Sequence, residues 1–85
     1  MKIVWDEPKR IANIDKHGLD FAALEPEFFY AATVRPAKVG RLQAVGSIDD
    51  DIVSVIFMPL GREAIAVISM RPAGKNEKRQ VHGQT

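Results

Sequence analysis

The C-terminal half of the chain contains several short runs of apolar residues, each about as long as a β-strand and separated by polar or turn residues. Residues 41–48 alternate loosely, and residues 52–58 and 64–70 are almost continuously apolar and rich in β-branched side chains. Asp49-Asp50-Asp51 separates the first two runs, and Pro59-Leu60-Gly61-Arg62 separates the last two. Short apolar runs divided by turn residues are typical of consecutive antiparallel strands. The pattern therefore predicts a three-stranded antiparallel meander.

The N-terminal region has a different period. Lys2–Trp5 is short and β-prone, which predicts a strand. Asp6 then offers a carboxylate that can cap the free N–H groups of a following helix. Ile11 and Ile14 lie three residues apart among charged residues and form the apolar stripe of an amphipathic segment. We expect a strand followed by a helix over residues 7–17.

The segment after this helix contains conflicting signals. Asp20 is a second candidate N-cap and opens the apolar stretch 21–29, but Pro26 lacks the N–H group that a helix interior needs. A helix here is expected to be kinked or interrupted. Residues 30–40 show no strong period, and Pro36 is compatible with a loop or with the start of an edge strand.

A further short helix is expected at the C-terminal end of the chain. Residues 71–74 (Arg-Pro-Ala-Gly) should end the last strand, and residues 75–81 are rich in helix formers. Gly74 is an acceptable N-cap, and Glu77 stands three residues later, at the position of a capping-box acid. Residues 82–85 are expected to fray.

These elements give the order β-α-α-β-β-β-α. Such an order predicts one α+β domain over residues 1–85, with a mostly antiparallel sheet and with helices packed on one face. The length of 85 residues leaves room for one core only.

Composition narrows the class of protein further. Apolar residues make up 46% of the chain and charged residues 27%, values of a folded globular domain. Cysteine is absent, which excludes disulfides and thiolate chemistry and fits a reducing compartment. No apolar run approaches the about 18 residues that a membrane span needs, and the N-terminus does not resemble an export signal. We therefore expect a cytoplasmic protein without membrane contact.

Charge is unevenly distributed although the formal net charge is only +1. After residue 70 a single acidic residue, Glu77, accompanies four basic ones: Arg71, Lys75, Lys78 and Arg79. A local excess of basic residues is compatible with a polyanionic partner such as RNA.

Several short motifs resemble one known family. The N-terminal pattern contains Trp5-Asp6-Glu7, Lys9, Asn13 and Lys16-His17-Gly18. Two later segments fit the same family: Arg41 with Ala44-Val45-Gly46, and Ile68-Ser69 with Arg71, Ala73 and Glu77. Together they resemble the BrnT toxins of bacterial type II toxin–antitoxin systems.

The resemblance implies a RelE-like fold and metal-independent cleavage of RNA, with mRNA as the target, without a cofactor. It also implies neutralisation by a small BrnA-like antitoxin that binds DNA. The toxin would then reach the DNA of its own operon only through the antitoxin. Gly40, Pro26 and Gly74 depart from the family pattern. These departures leave open a second hypothesis, a catalytically degenerate binding module that acts only in the antitoxin complex and in operon co-repression.

Metal-free RNA cleavage needs a base, an acid and a fixed positive charge on the reacting phosphate. His17 is the candidate acid or base, because imidazole exchanges protons near neutral pH; alternatively, it only caps the end of its helix. Arg71 lies between a strand and a helix N-terminus and is the candidate phosphate clamp. Its alternative role is a surface ion pair with Glu77.

The remaining candidates would support these two residues. Arg41 is expected to be a second clamp if the sheet brings it near Arg71, and is otherwise a solvated charge at a strand end. The RNA-binding candidates are Lys9, Lys16, Ser69 and Lys75. Lys9 and Lys16, both in the first predicted helix, can equally be solvent-exposed residues of an amphipathic helix. Ser69 can equally be an outward-facing residue of a strand. The aspartates at 49–51 are interpreted as a polar turn, and no metal site is predicted.

Overall fold

The computed structural model describes the backbone of residues 1–82 and the side chains of residues 1–81. Three α-helices and five strands follow one another in that part of the chain, with one 3₁₀ turn at Phe21–Ala23. Their bounds are β1 (Lys2–Trp5), α1 (Glu7–His17), α2 (Pro26–Ala31), β2 (Thr33–Pro36), β3 (Leu42–Ile48), β4 (Asp51–Leu60), β5 (Ala64–Pro72) and α3 (Lys75–His82). Within this range no helix is long and apolar enough to cross a bilayer.

The strands form one sheet in the order β1-β5-β4-β3-β2. β3, β4 and β5 are the predicted antiparallel meander, which is confirmed. β2 pairs antiparallel with β3 at the edge of the sheet and ends at Pro36. Pro36 therefore closes an edge strand and does not start one, and residues 37–41 form a loop. β1 pairs parallel with β5 at the other edge. The predicted α+β class with a mostly antiparallel sheet is confirmed; the RelE-like assignment stays a prediction.

The apolar core lies between one face of the sheet and the N-terminal helical segments. Burying these side chains supplies the main driving force for folding in so small a domain. Its buried members are Phe21, Leu24, Phe28, Phe29, Ala44, Val53, Val55, Phe57, Ile65, Val67 and Met70. Aromatic rings meet edge to face within it, with Phe29 and Phe57 centroids 5.1 Å apart.

Helix α1 has the predicted bounds, but it packs through a different face. Ile11 and Ile14 are 58% and 37% exposed, so the predicted apolar stripe is wrong. Asn13 is buried instead: its Oδ1 accepts from the Met70 N–H at 3.1 Å, and its Nδ2 donates to the Leu19 carbonyl at 2.9 Å. The reason lies in the sheet, because β1 ends opposite Val67, so the last residues of β5 pair with β4 on one side and have no strand partner on the other.

The helix ends agree with the sequence signals except at Asp6. The Asp6 side chain makes no capping hydrogen bond, contrary to expectation. Gly18 adopts φ 70° and donates its N–H to the Ile14 carbonyl at 2.7 Å, which ends α1 as expected. The Asp20 carboxylate accepts from the Ala22 N–H and caps the 3₁₀ turn. Pro26 interrupts the apolar stretch as predicted and is the first residue of α2.

Helix α3 lies over the opposite face of the sheet. Its Glu77 contacts Gln43 and Arg71, which point away from the core. The expectation that helices pack on one face therefore holds for the N-terminal helices but not for α3. His82, the first residue of the predicted frayed segment, is the last residue of α3, and residues 83–85 lie outside the described part of the chain.

Candidate functional site

The second face of the sheet carries polar side chains where the first carries the core. Arg71 on β5 lies directly opposite Ser54 on β4, which in turn lies opposite Val45 on β3. Residues opposite one another in an antiparallel pair point to the same face. Val53 and Val55 point into the core, so Ser54 between them points to the second face, where it is only 1% exposed.

A β-bulge decides on which face Arg71 lies. Phe57 pairs with Val67 but Ile56 pairs with Ser69, so Ile68 is an extra residue in β5. Without the bulge, alternation from Ile65 and Val67 would turn residue 71 into the core. An extra residue shifts the alternation by one, which buries Met70 and turns Arg71 outward.

The Glu77 carboxylate is the centre of the polar cluster on this face. Its Oε1 accepts from the Gly74 N–H and from Arg71 Nη1, both at 2.8 Å. Its Oε2 accepts from Arg71 Nη2 at 2.8 Å and from Gln43 Nε2 at 2.7 Å. Hydrogen bonds to a carboxylate favour its charged form, with Arg71 contributing most, and they lower the pKa of Glu77 to about 2.

The Arg71 guanidinium is thereby fixed at the junction of β5 and α3. Besides its two bonds to Glu77, Nη1 donates to the Pro72 carbonyl at 3.1 Å. Its side chain remains 44% exposed, and the hydrogen bonds that it donates to Glu77 raise the pKa of Arg71. The surface ion pair with Glu77, considered from the sequence as the alternative to phosphate binding, is therefore present. It does not remove Arg71 from solvent.

Gln43 and Ser54 belong to this cluster and were not predicted. Gln43 Nε2 donates to Ser54 Oγ at 2.8 Å as well as to Glu77. Both residues could have been noticed in the sequence, since each is a polar residue inside a run of strand-forming apolar residues. Such a residue is either outward-facing or part of a buried network. Only the strand register shows that the two lie on one face.

The other strand candidates lie at different distances from Arg71. Ser69 is half-buried and lies opposite Ile56, on the same face as Arg71 and two residues before it on β5. Arg41 precedes β3 and is exposed; the register places it level with Met58, about 13 Å along the strands and roughly 10 Å across them from Arg71. The sheet therefore does not bring Arg41 directly beside Arg71. Arg35 on β2 lies opposite Gln43 and is also exposed.

The helical candidates lie on both sides of this junction. Lys75 is the first residue of α3 and is exposed. Asn13 anchors α1 to Met70, the residue before Arg71. His17 is half-buried and lies one turn beyond Asn13 on the same side of α1. Lys9 and Lys16 are exposed, and neither forms an ion pair within the described residues.

The acidic run forms the turn between β3 and β4. Asp49 has φ 53°, Asp50 completes the turn, and Asp51 is the first residue of β4. Within the part of the chain that the structure describes, no three His, Asp or Glu side chains are grouped so that they could hold a metal ion. The polar groups at the β5–α3 junction can instead hold an anion by hydrogen bonds and charge.

Comparisons with known proteins agree on one family. A family model described as "Ribonuclease toxin, BrnT, of type II toxin-antitoxin system" matches residues 5–77. The crystal structure of the Brucella abortus ribonuclease toxin BrnT superposes with a TM-score of 0.83 at 58% sequence identity, covering 88% of this chain and 99% of that one. No curated protein matches. The chain therefore belongs to the BrnT family of ribonuclease toxins of type II toxin–antitoxin systems.

Proposed function

We propose that this chain is an endoribonuclease that cleaves mRNA in the cytoplasm without a metal ion, and that a cognate BrnA-like antitoxin holds it inactive. The observation that carries the proposal is the Arg71 guanidinium, fixed at the end of β5 and 44% exposed. An arginine fork matches the geometry of a phosphate, and a fixed cation stabilises the charge that develops there during cleavage.

The reaction that suits these groups is transfer of the phosphate to the neighbouring 2′-hydroxyl. The 2′-oxygen forms a bond to phosphorus while the bond to the 5′-oxygen breaks, which leaves a 2′,3′-cyclic phosphate and a 5′-hydroxyl. One group must take the 2′-proton and another must protonate the leaving oxygen. We assign one of these two transfers to His17, because Asn13, one turn before it on α1, accepts a hydrogen bond from Met70, the residue before Arg71.

The substrate would be held mainly through its backbone. Lys75 flanks Arg71 at the start of α3, Ser69 lies beside it on β5, and Lys9 and Lys16 extend the basic surface along α1. Contacts between lysines and phosphates give affinity without reading the bases. Arg41 would contact the RNA at a phosphate away from the cleaved bond.

The antitoxin proposal rests on the family, since a type II toxin implies a protein partner. Exposed basic residues around Arg71 give that partner a surface to complement with acidic residues. Contact with DNA would occur only through the antitoxin.

Antitoxin-free protein incubated with a defined RNA in excess chelator tests the proposal. We expect endonucleolytic cleavage that chelator does not slow, with 2′,3′-cyclic phosphate ends on the upstream fragments. Purified protein that binds the RNA without cleaving it, with or without added Mg²⁺, would contradict an active enzyme and support the alternative of a degenerate binding module. Cleavage that requires Mg²⁺ would contradict the metal-free mechanism alone.

A further inference from the structure

We propose that Glu77 and Gln43 are positioning residues that hold Arg71 by one edge of its guanidinium, so that the opposite edge, formed by Nε–H and the second Nη2–H, is the bidentate site for the RNA phosphate. The inference deepens the proposed function, on which its substrate class rests. It assigns the atoms of Arg71 that meet the substrate and the residues that aim them.

The donor inventory of Arg71 carries the first step. A guanidinium has five N–H groups in one plane. Nη1 uses both of its hydrogens, on Glu77 and on the Pro72 carbonyl, and Nη2 uses one of its two on Glu77. No hydrogen bond among the described residues uses Nε. The two remaining N–H groups lie parallel along the Nε–Nη2 edge, in the arrangement that a phosphate accepts with two oxygens.

The environment of Glu77 carries the second step, because it decides whether a phosphate replaces the carboxylate or adds beside it. Four donors hold the two carboxylate oxygens, and only one of the three groups that supply them is a flexible charged side chain. The Gly74 N–H belongs to the main chain, and the Gln43 side chain is held by its hydrogen bond to Ser54. A pKa of about 2 keeps Glu77 ionised at neutral pH. A phosphate is therefore expected to add to the free edge of Arg71.

Gln43 is held in turn by the sheet. Its Nε2 donates to the Oγ of Ser54, a side chain 1% exposed, and to Glu77. Because an ionised carboxylate only accepts hydrogen bonds, the amide must present its nitrogen toward Glu77. The chain of contacts from Ser54 through Gln43 and Glu77 thus fixes the plane of the Arg71 guanidinium.

Loss of the orientation of the Arg71 guanidinium should change the kinetic constants differently from loss of its charge. A guanidinium that rotates freely still attracts RNA, but it meets the developing charge in the wrong geometry. Interactions that matter mainly in the transition state change kcat, whereas uniform binding changes KM. Gln43→Met keeps the charge of Arg71 and removes one donor from Glu77, so we expect kcat to fall by roughly 10-fold to 100-fold with little change in KM.

The direct test observes the Arg71 guanidinium by ¹⁵N-resolved NMR of the whole chain while inorganic phosphate is added. We expect saturable movement of the Arg71 Nε–H resonance, with the Gly74 amide resonance unmoved because Glu77 stays in place. In Gln43→Met the affinity for phosphate should weaken by roughly tenfold. The matched control is Gln80→Met, the same substitution at a half-buried glutamine of α3, and should behave like the wild type.

Two results would overturn the inference. One is movement of the Gly74 amide without movement of Arg71 Nε–H, which would mean that phosphate displaces Glu77. The other is unchanged phosphate affinity and unchanged kcat in folded Gln43→Met. Ser54→Ala tests the same link if Gln43→Met does not unfold cooperatively, with the same expected and contradicting results. Failure of the proposed function would look different: the wild-type protein itself would not cleave RNA, whatever the phosphate titration shows.

Discussion

At the scale of single residues, the Arg71–Glu77 pair differs from an ordinary surface ion pair. Exposed pairs contribute little, because water and side-chain mobility compete with them. Here the Glu77 side chain is only 17% exposed, and the Gly74 N–H and the Gln43 amide hold it in addition to Arg71. The carboxylate is therefore a fixed acceptor that orients three donor groups, and its ionisation is coupled to folding.

Replacing Glu77 by Gln should make stability depend less on pH. The folded protein lowers the pKa of Glu77 from an ordinary value of 4.5 to about 2, so the carboxylate stabilises the fold fully above pH 4.5 and ceases to do so as the pH falls through about 2. We expect Glu77→Gln to lose about 1–2 kcal/mol at pH 7, and the difference from the wild type to shrink toward pH 2. Chemical denaturation at several pH values measures this.

Glu63→Gln is the matched control, because Glu63 is exposed and forms no ion pair within the described residues. Its stability should remain close to that of the wild type at neutral pH. An equal loss for Glu77→Gln at pH 7 and at pH 2 would show that the carboxylate's charge plays no part.

The residues that form the site were only partly predictable from the sequence. Arg71 and Glu77 were visible in the sequence, because one follows an apolar run and the other stands at a capping position. Their exposure could not be deduced, since the bulge at Ile68 sets the face of Arg71 and a bulge has no composition signal here. Gln43 and Ser54 are 11 positions apart and become neighbours only through the strand register.

At the scale of elements, the helices and the strands other than β2 were predictable, and their packing faces were not. The start and stop signals located α1 correctly, yet α1 packs through Asn13, because the Met70 N–H lies beyond the end of β1 and needs an acceptor on that edge of β5. The helix α2 is packed against β3 in a different manner, by close approach at a glycine. A Cβ at Gly46 would lie 3.0 Å from Cε2 of Phe28 and 3.2 Å from Cβ of Ala32.

Gly46→Ala is therefore expected to destabilise the protein. The added methyl group would push on the Phe28 ring, which is itself packed edge to face on Phe29 in the core. Overpacking of this kind costs about 1–3 kcal/mol, which thermal or chemical unfolding would detect. Gly74→Ala is the control, because its Cβ would meet only Glu77 Oε1, at 3.7 Å. A Gly46→Ala protein as stable as the wild type would show that α2 can shift without cost.

At the scale of the whole molecule, the topology gathers three chain segments at one end of the sheet. Parallel pairing of β1 with β5 directs α1 toward the edge of β5 that β1 leaves unpaired, and β5 leads through Ala73 and Gly74 into α3. Asn13 on α1 thus meets Met70 on β5, the residue before Arg71, although the two are 57 positions apart in the sequence. Periodicity alone gave the element order, and the family resemblance gave the expected chemistry, but neither gave this arrangement.

The most direct test of the central claim compares RNA cleavage by Arg71→Ala and by Arg62→Ala. Arg62 is an exposed arginine of the β4–β5 turn, at the opposite end of β5, and its replacement removes the same charge. Circular dichroism first verifies that both variants are folded. We then expect Arg71→Ala to lower kcat/KM by at least about 100-fold and Arg62→Ala to leave kcat/KM within about threefold of the wild type. Equal cleavage by the two variants would contradict the assignment of Arg71 as the phosphate-binding residue.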